Sequence, residues 1–253
     1  GVHPSQRPAP ADSGAAERRT EIGVDVKTKE KPWGGRFGEP TDGRVEAFTS
    51  SLHFDRRLFR YDIEGSVAHA RMLGRQGIIT KGEARVIVAG LRKILADIEA
   101  GDFHFRPDDE DIHMAIEKAL TERIGDVGGK LHTGRSRNDQ IALDIRLYLR
   151  AEIGEVLAFI AELKAGFLVL AKKECGAVMP GYTHMQKAQP VLLSHYLLAF
   201  WEMLTRDEAR FRDCLKRVNV MPLGAAALAG TGLPIDRTCV ARLLHFPAVS
   251  ENS

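Results

Sequence analysis

From Thr80 to Ile98 the apolar residues fall on one helical face: Ile87, Val88, Leu91, Ile94, Leu95 and Ile98 recur at i, i+3, i+4 and i+7 spacing. Thr80 and Glu83 stand ahead of them in the arrangement of a capping box, which marks where this amphipathic helix starts. Further on, no proline occurs between Asp108 and Met179, and Leu149, Ile153, Val156, Ile160, Leu163, Phe167 and Leu170 alternate steps of four and three. That heptad-like stripe predicts one helix from about Asn138 to Glu174. At ~1.5 Å per residue it would be roughly 50 Å long, more than a compact domain of this size needs, so the long helices should form a bundle. A second long helix is predicted to open at Pro190, a favoured first-turn residue, and to run through Leu193, Leu197, Trp201 and Leu204 to Phe211, Leu215 and Val218. Its first half is apolar nearly all round. The chain has few other long helices to cover it, so oligomerisation through the bundle is expected.

Alternating strand patterns bounded by turns are scarce, and there is no G-x-G-x-x-G, P-loop or internal repeat. The expected fold is therefore all-α, with an N-terminal helical domain over 33–134 and a central long-helix bundle domain over 135–253. Residues 1–32 mix Pro, Ala, Ser and both charge signs with few large apolar residues, and they read as a disordered N-terminal extension. A transit peptide is the competing reading of that stretch, but Asp12, Glu17, Glu21 and Asp25 are more acid than such peptides carry.

Charge and cysteine content narrow the class. Lys and Arg number 36 against 34 Asp and Glu, interspersed, and the resulting formal charge of +2 argues against nucleic-acid binding as the main role. Cys175, Cys214 and Cys239 are widely spaced with no C-x-x-C pair, so neither a disulfide framework nor a zinc site is suggested, and a cytoplasmic, reducing setting is expected. The most apolar runs fall well short of the ~18 residues of a membrane span.

Two polar segments interrupt the helical material, and each is expected to lead directly into a long helix: 131–140 (LHTGRSRNDQ) and 180–190 (PGYTHMQKAQP). In the first, Ser136 or Asn138 can cap the helix, whose free N–H groups and dipole favour an anion, while Arg137 can grip a carboxylate with two prongs. A well-capped helix with two solvated arginines accounts for the same residues. In the second, His184 has a pKa suited to moving protons and follows the hydroxyl of Thr183. A lone histidine is more often a surface or core residue, and the same holds for His113. The acidic run Asp108–Asp111 suits the first turn of a helix better than a metal site, since no second well-spaced histidine accompanies it.

These two segments resemble signature segments of argininosuccinate lyases. So, in the same order along the chain, do 33–37 (WGGRF), 50–55 (SSLHFD), 62–66 (DIEGS), 110–113 (EDIH) and 222–224 (PLG) through 234–237 (PIDR), and the resemblance runs from Trp33 to the end. It implies the fumarase/aspartase architecture, no metal and no organic cofactor, and a homotetramer whose active sites draw on several subunits. It implies β-elimination of argininosuccinate to arginine and fumarate. Ser51, Ser136, Arg137, Asn138 and Thr183 would hold the substrate, His184 would take part in proton transfer as acid or base, and His113 would support them. The alternatives are a structural protein like the related delta crystallins, or another fumarate-releasing lyase. The family's third signature, a serine-bearing loop, has no counterpart here. The 253 residues alone are therefore expected to be inactive, with apolar positions near Val240, Leu243, Leu244 and Phe246 left without partners.

Overall fold

The computed structural model describes residues 42–106 and 109–252. The expected disordered extension over 1–32 and the 33–37 segment lie outside the described residues. Two short helices, α1 (Gly43–Thr49) and α2 (Leu52–Asp55), lead through a 3-10 turn to α3 (Phe59–Arg75), α4 (Lys81–Ala100), α5 (Ile112–Ile124) and the single turn α6 (Asp126–Gly129). The capping box at Thr80 forms as predicted: its hydroxyl accepts the Glu83 N–H at 3.2 Å and its own N–H donates to Glu83 Oε2 at 2.8 Å. Gly101 ends α4 in the left-handed conformation that glycine adopts without penalty. Asp111 caps α5 by accepting the Met114 N–H at 2.6 Å, so the acidic run begins a helix, as its composition suggested.

The long helix α7 (Arg137–Lys173) spans 37 residues, roughly 55 Å at ~1.5 Å per residue. After a hairpin, α8 (Leu193–Val218) returns antiparallel beside it. The fold is thus predominantly helical, but its entry into α8 differs from the helix expected at Pro190. Val178–Thr183 (β1) and Gln186–Leu192 (β2) pair antiparallel, with Pro180 opposite Pro190, and α8 begins only at Leu193. The second polar segment is therefore a β-hairpin. His184 and Met185 form its two-residue turn at φ 49° and 60°, the backbone twist that tight hairpins need. A bulge falls between Pro180 and Tyr182, and a Cβ on Gly181 would lie 2.9 Å from the Gln189 carbonyl, so that position requires glycine.

The core lies among α3, α4, α5 and the first three turns of α7. Ile63, Leu73, Ile87, Leu91, Ile116 and Leu143 are all but inaccessible there, each stabilising by about 1.5–3 kcal/mol. The chain returns to this core after α8. A two-residue strand β3 (Val220–Met221) pairs parallel with β4 (Ala248–Val249), with α9 (Arg237–Leu243) between them. Met221, Leu223, Val240, Leu244 and Phe246 join the same apolar cluster. This corrects the expectation that the residues near 240–246 lack partners: they fill the core beside α3. Two arginines of α7 clamp the returning chain. Arg146 donates to the Val220 carbonyl at 2.9 Å and to carbonyls at the end of α8, and Arg150 donates to the Leu244 carbonyl at 2.9 Å while lying over the Phe246 ring.

The outer two-thirds of the α7–α8 pair is different. Of its stripe, Ile153 and Ile160 are buried, whereas Leu163 and Leu170 are exposed, as are Phe159, Val169, Tyr196 and Met203. Among the described residues no helix is long and apolar enough to cross a membrane.

Candidate functional site

The start of α7 is held by reciprocal capping. Ser136 Oγ accepts the Asn138 N–H at 3.3 Å, and Asp139 Oδ1 accepts the Ser136 N–H at 2.8 Å. The other oxygen of Asp139 accepts the N–H groups of Gly224 and Ala226, both at 2.8 Å, which ties the loop after β3 to the helix start. Gly224 sits at φ 94°, and a Cβ there would come within 2.8 Å of Ile235, so no other residue fits. Arg237 fixes the loop from behind through the carbonyls of Leu223 at 2.9 Å and Pro222 at 3.2 Å.

Arg137 points along this platform. Its guanidinium donates to Glu117 Oε2 and to Gln140 Oε1, both at 2.9 Å, and its Nε lies 3.9 Å from Asp111. Two of the five guanidinium N–H groups are thereby used for orientation, leaving donors for an incoming carboxylate. Burial raises the Glu117 carboxyl, but His132, 3.6 Å away, and the Arg137 charge outweigh that and hold it at about 2. Asn138 is exposed beside this cation. Ser51 joins from α2: its N–H donates to the Glu110 carbonyl at 2.9 Å, and its hydroxyl to Asp55 Oδ2 at 2.5 Å. Asp55 in turn accepts the Ile112 N–H at 3.2 Å. The structure thus brings Arg137, between Ser136 and Asn138 at the start of α7, against Asp111, and seats Ser51 against the neighbouring Glu110 backbone.

Beneath them runs a buried polar network that joins residues of the 62–66, 110–113 and 131–140 segments to Asp144. His113 Nε2 meets Asp144 Oδ2 at 2.8 Å, Arg135 donates to Ser66 Oγ at 2.9 Å, and Gln140 donates to Asp62. Burial alone would push the His113 imidazole down. The Asp111 and Asp144 carboxylates beside it and the Asp62 charge prevail, and they push it up to about 10. Burial and Asp62 raise the Asp144 carboxyl. Asp62, His113 and Asp144 offer ligand atoms within 4.8 Å of one another. His113 bonded to Asp144, with the Arg135 charge facing Asp62 and Asp144, makes the group a buried, charge-paired support beneath the start of α7. The signal for it in the sequence is the polar spacing Asp62, Ser66, His69, which places hydrophilic residues on the inward face of α3.

Thr183 and His184 stand elsewhere. Both are exposed at the hairpin tip, which follows the far end of α7. The two polar segments thus lie at opposite ends of α7, which alone runs roughly 55 Å at ~1.5 Å per residue.

The sequence and the fold match a known class. The chain belongs to the lyase family, whose model matches residues 35–252. It is 70% identical over 229 residues to the argininosuccinate lyase of Syntrophus aciditrophicus (strain SB), covering 90% of this chain and 48% of that protein. It is 60% identical over 224 residues to that of Geobacter sulfurreducens (strain ATCC 51573 / DSM 12127 / PCA), covering 88% and 49%. The chain spans about half the length of the curated relatives it matches. Among solved structures it is similar to EDDS lyase in complex with formate, with 34% identity and a TM-score of 0.68 over 78% of this chain and 39% of that one. A fumarate lyase:delta crystallin from Brucella melitensis shares the fold at 17% identity, with a TM-score of 0.67 over 81% of this chain and 50% of that one. The architecture is that of the fumarase/aspartase superfamily.

Proposed function

We propose that the whole protein is an argininosuccinate lyase of arginine biosynthesis in the cytoplasm, releasing arginine and fumarate by β-elimination without a metal or organic cofactor. The observation that carries this reading is the 70% identity to an argininosuccinate lyase over nine-tenths of the chain. In this mechanism a proton leaves the carbon beside a carboxylate, negative charge spreads onto that carboxylate, and the C–N bond to the guanidinium breaks. The free donors of Arg137, the Asn138 amide and the Ser136 hydroxyl receive the carboxylates, and the Ser51 hydroxyl joins them by turning from Asp55 to the substrate. Ser136 is suited to this because its oxygen already accepts the helix N–H and its own proton remains to be given. Thr183 completes substrate binding and His184 serves proton transfer.

The separation of the two segments along α7 supports a homotetramer in which His184 of one subunit enters the site built around Arg137 of another. The exposed apolar stripe on α7 and α8 is the surface such an assembly would cover. Expression of the full-length protein, with fumarate followed by ultraviolet absorbance, tests the activity. Fumarate should appear from argininosuccinate. Release from EDDS but not from argininosuccinate would overturn the substrate assignment.

A further inference from the structure

On the face of α3 and α4 away from the buried network lies a groove of about 540 Å³ that the lyase chemistry does not use. Its floor is apolar: Gly74, Ala84, Val88, Ala89 and Leu243. A Cβ on Gly74 would come within 2.6 Å of the Ala84 Cβ, so the two helices touch here through their smallest residues and leave a trough between their larger side chains. Five cations flank that trough. Arg71 and Arg75 stand four apart on α3, and Lys81, Arg85 and Arg92 share one face of α4 at steps of four and seven.

None of these five forms an ion pair with a described carboxylate. Arg75 Nη1 lies 3.1 Å from the Cys239 sulfur, and Glu83, the acid in the first turn of α4, is turned to Lys130. In a chain whose formal charge is only +2, five cations without an ion-pair partner among the described residues concentrate positive potential around one apolar trough. Four of the five are arginines, whose planar forks match phosphate oxygens two at a time. The volume lies within the range of small-ligand sites. From Lys81 to Arg92 the groove runs roughly 16 Å along α4, the reach of an extended polyphosphate with an organic group at one end. A protein partner would need about 800 Å² on each side, more than so short a trough offers.

We propose that this groove between α3, α4 and the end of α9 binds an organic polyphosphate, its phosphate chain on the arginines and its apolar or planar body on the Val88–Ala89–Leu243 floor. A nucleoside triphosphate is the simplest ligand with that chemistry. No carboxylate or amide lines the groove to read a base, so recognition is of the phosphate chain and a flat body and not of one nucleobase. The proposal does not depend on the activity assigned above.

The test is titration calorimetry of the full-length protein at low ionic strength, with ATP and inorganic triphosphate as separate probes. Both should bind, ATP more tightly because of the apolar floor, and both should weaken by about tenfold or more at high salt, as a surface charge cluster requires. The R85E/R92E double variant should lose binding of both probes while keeping the parental melting temperature, since both side chains are exposed. R85K/R92K should retain the salt-sensitive part and lose some of the affinity for each probe. No binding by the parent protein would overturn the proposal, because the groove would then be covered in the whole protein. So would equal binding by parent and R85E/R92E, equal affinity for ATP and triphosphate, or displacement of ATP by fumarate, which would put the anion at the α7 site.

Discussion

The two ends of α7 solve opposite problems with the same helix. At its start the helix is tied in on several sides: Asp139 accepts three backbone N–H groups, Arg137 is held by Glu117 and Gln140, and His113 and Asp144 are hydrogen-bonded in the interior. At its far end the helix packs mainly on α8 among the described residues, and shows Phe159 and Val169 to solvent at 66% and 68% exposure. The first region links most of its buried polar side chains to one another, with His113 Nδ1, Arg135 Nε and Asp144 Oδ1 left outside the hydrogen bonds, and that web orients the donors of Arg137. The second gains little from its own chain, and its candidate catalytic residue sits on a two-residue turn. His184 and Met185 occupy positive φ there without being glycine, a conformation the rest of the hairpin must hold in place. A site can thus be divided into a part that one chain finishes and a part that another supplies.

That contrast predicts unequal costs. Asp139→Ala would orphan the N–H groups of Ser136, Gly224 and Ala226 in a buried setting and should destabilise the protein by about 3–5 kcal/mol. Phe159→Ala should change the subunit's own folding by less than ~0.5 kcal/mol and act on assembly instead. Denaturant unfolding together with light scattering separates the two. Equal losses of stability at unchanged mass would erase the distinction.

The buried network also sets a pH signature. With its folded pKa raised to about 10 from 6.5, His113 contributes stability that is complete below pH 6.5 and is lost as pH rises toward 10. The raised Asp144 carboxyl acts in the same direction. Burial, with the Arg135 charge second, pushes the His69 imidazole down to about 3, so its contribution is present above pH 6.5 and is lost as pH falls toward 3. Unfolding midpoints measured across pH should fall toward both the acid and the alkaline end, with the raised Asp144 opposing the His69 limb below pH 6.5, and His113→Asn should flatten the alkaline limb. An unchanged alkaline limb in that variant would remove His113 from the account.

A smaller effect is expected at Glu117. Glu117→Gln keeps the shape but weakens the ionic hold on Arg137, and should raise KM for argininosuccinate by about tenfold, with kcat/KM falling by the same order. Unfolding midpoints of the variant should stay close to the parent's. A parental KM would show that the pair does not orient the arginine.

Much of the region around α4 and α7 is legible in the sequence because local signals agree there. Thr80 with Glu83 and Ser136 with Asp139 cap helices whose apolar faces repeat at the helical period. The hairpin is not legible for the opposite reason. Pro180, Gly181 and Pro190 interrupt any alternation, and its turn lacks the Asn-Gly or Gly pair that announces one. Pro190 reads as a helix start although it faces Pro180 across the ladder, where neither residue has an N–H to offer. The return of 220–249 to the core is equally hidden, since it depends on long-range carbonyl contacts from Arg146 and Arg150 that no local pattern records. Of the candidate site, the helix start and its arginine can be read directly, whereas Glu117, Asp139 and Asp144 emerge only from contacts distant in sequence.

On the proposed reading, the Arg137 platform and His184 meet only between subunits. The most direct test of that reading mixes two inactive full-length variants, Arg137→Ala and His184→Asn, after dissociation and reassembly. Activity should return to roughly a quarter of the parental level, because one site in four then draws both native segments from different chains. Activity that stays at the level of the separate variants, while light scattering shows mixed assemblies, would contradict the account.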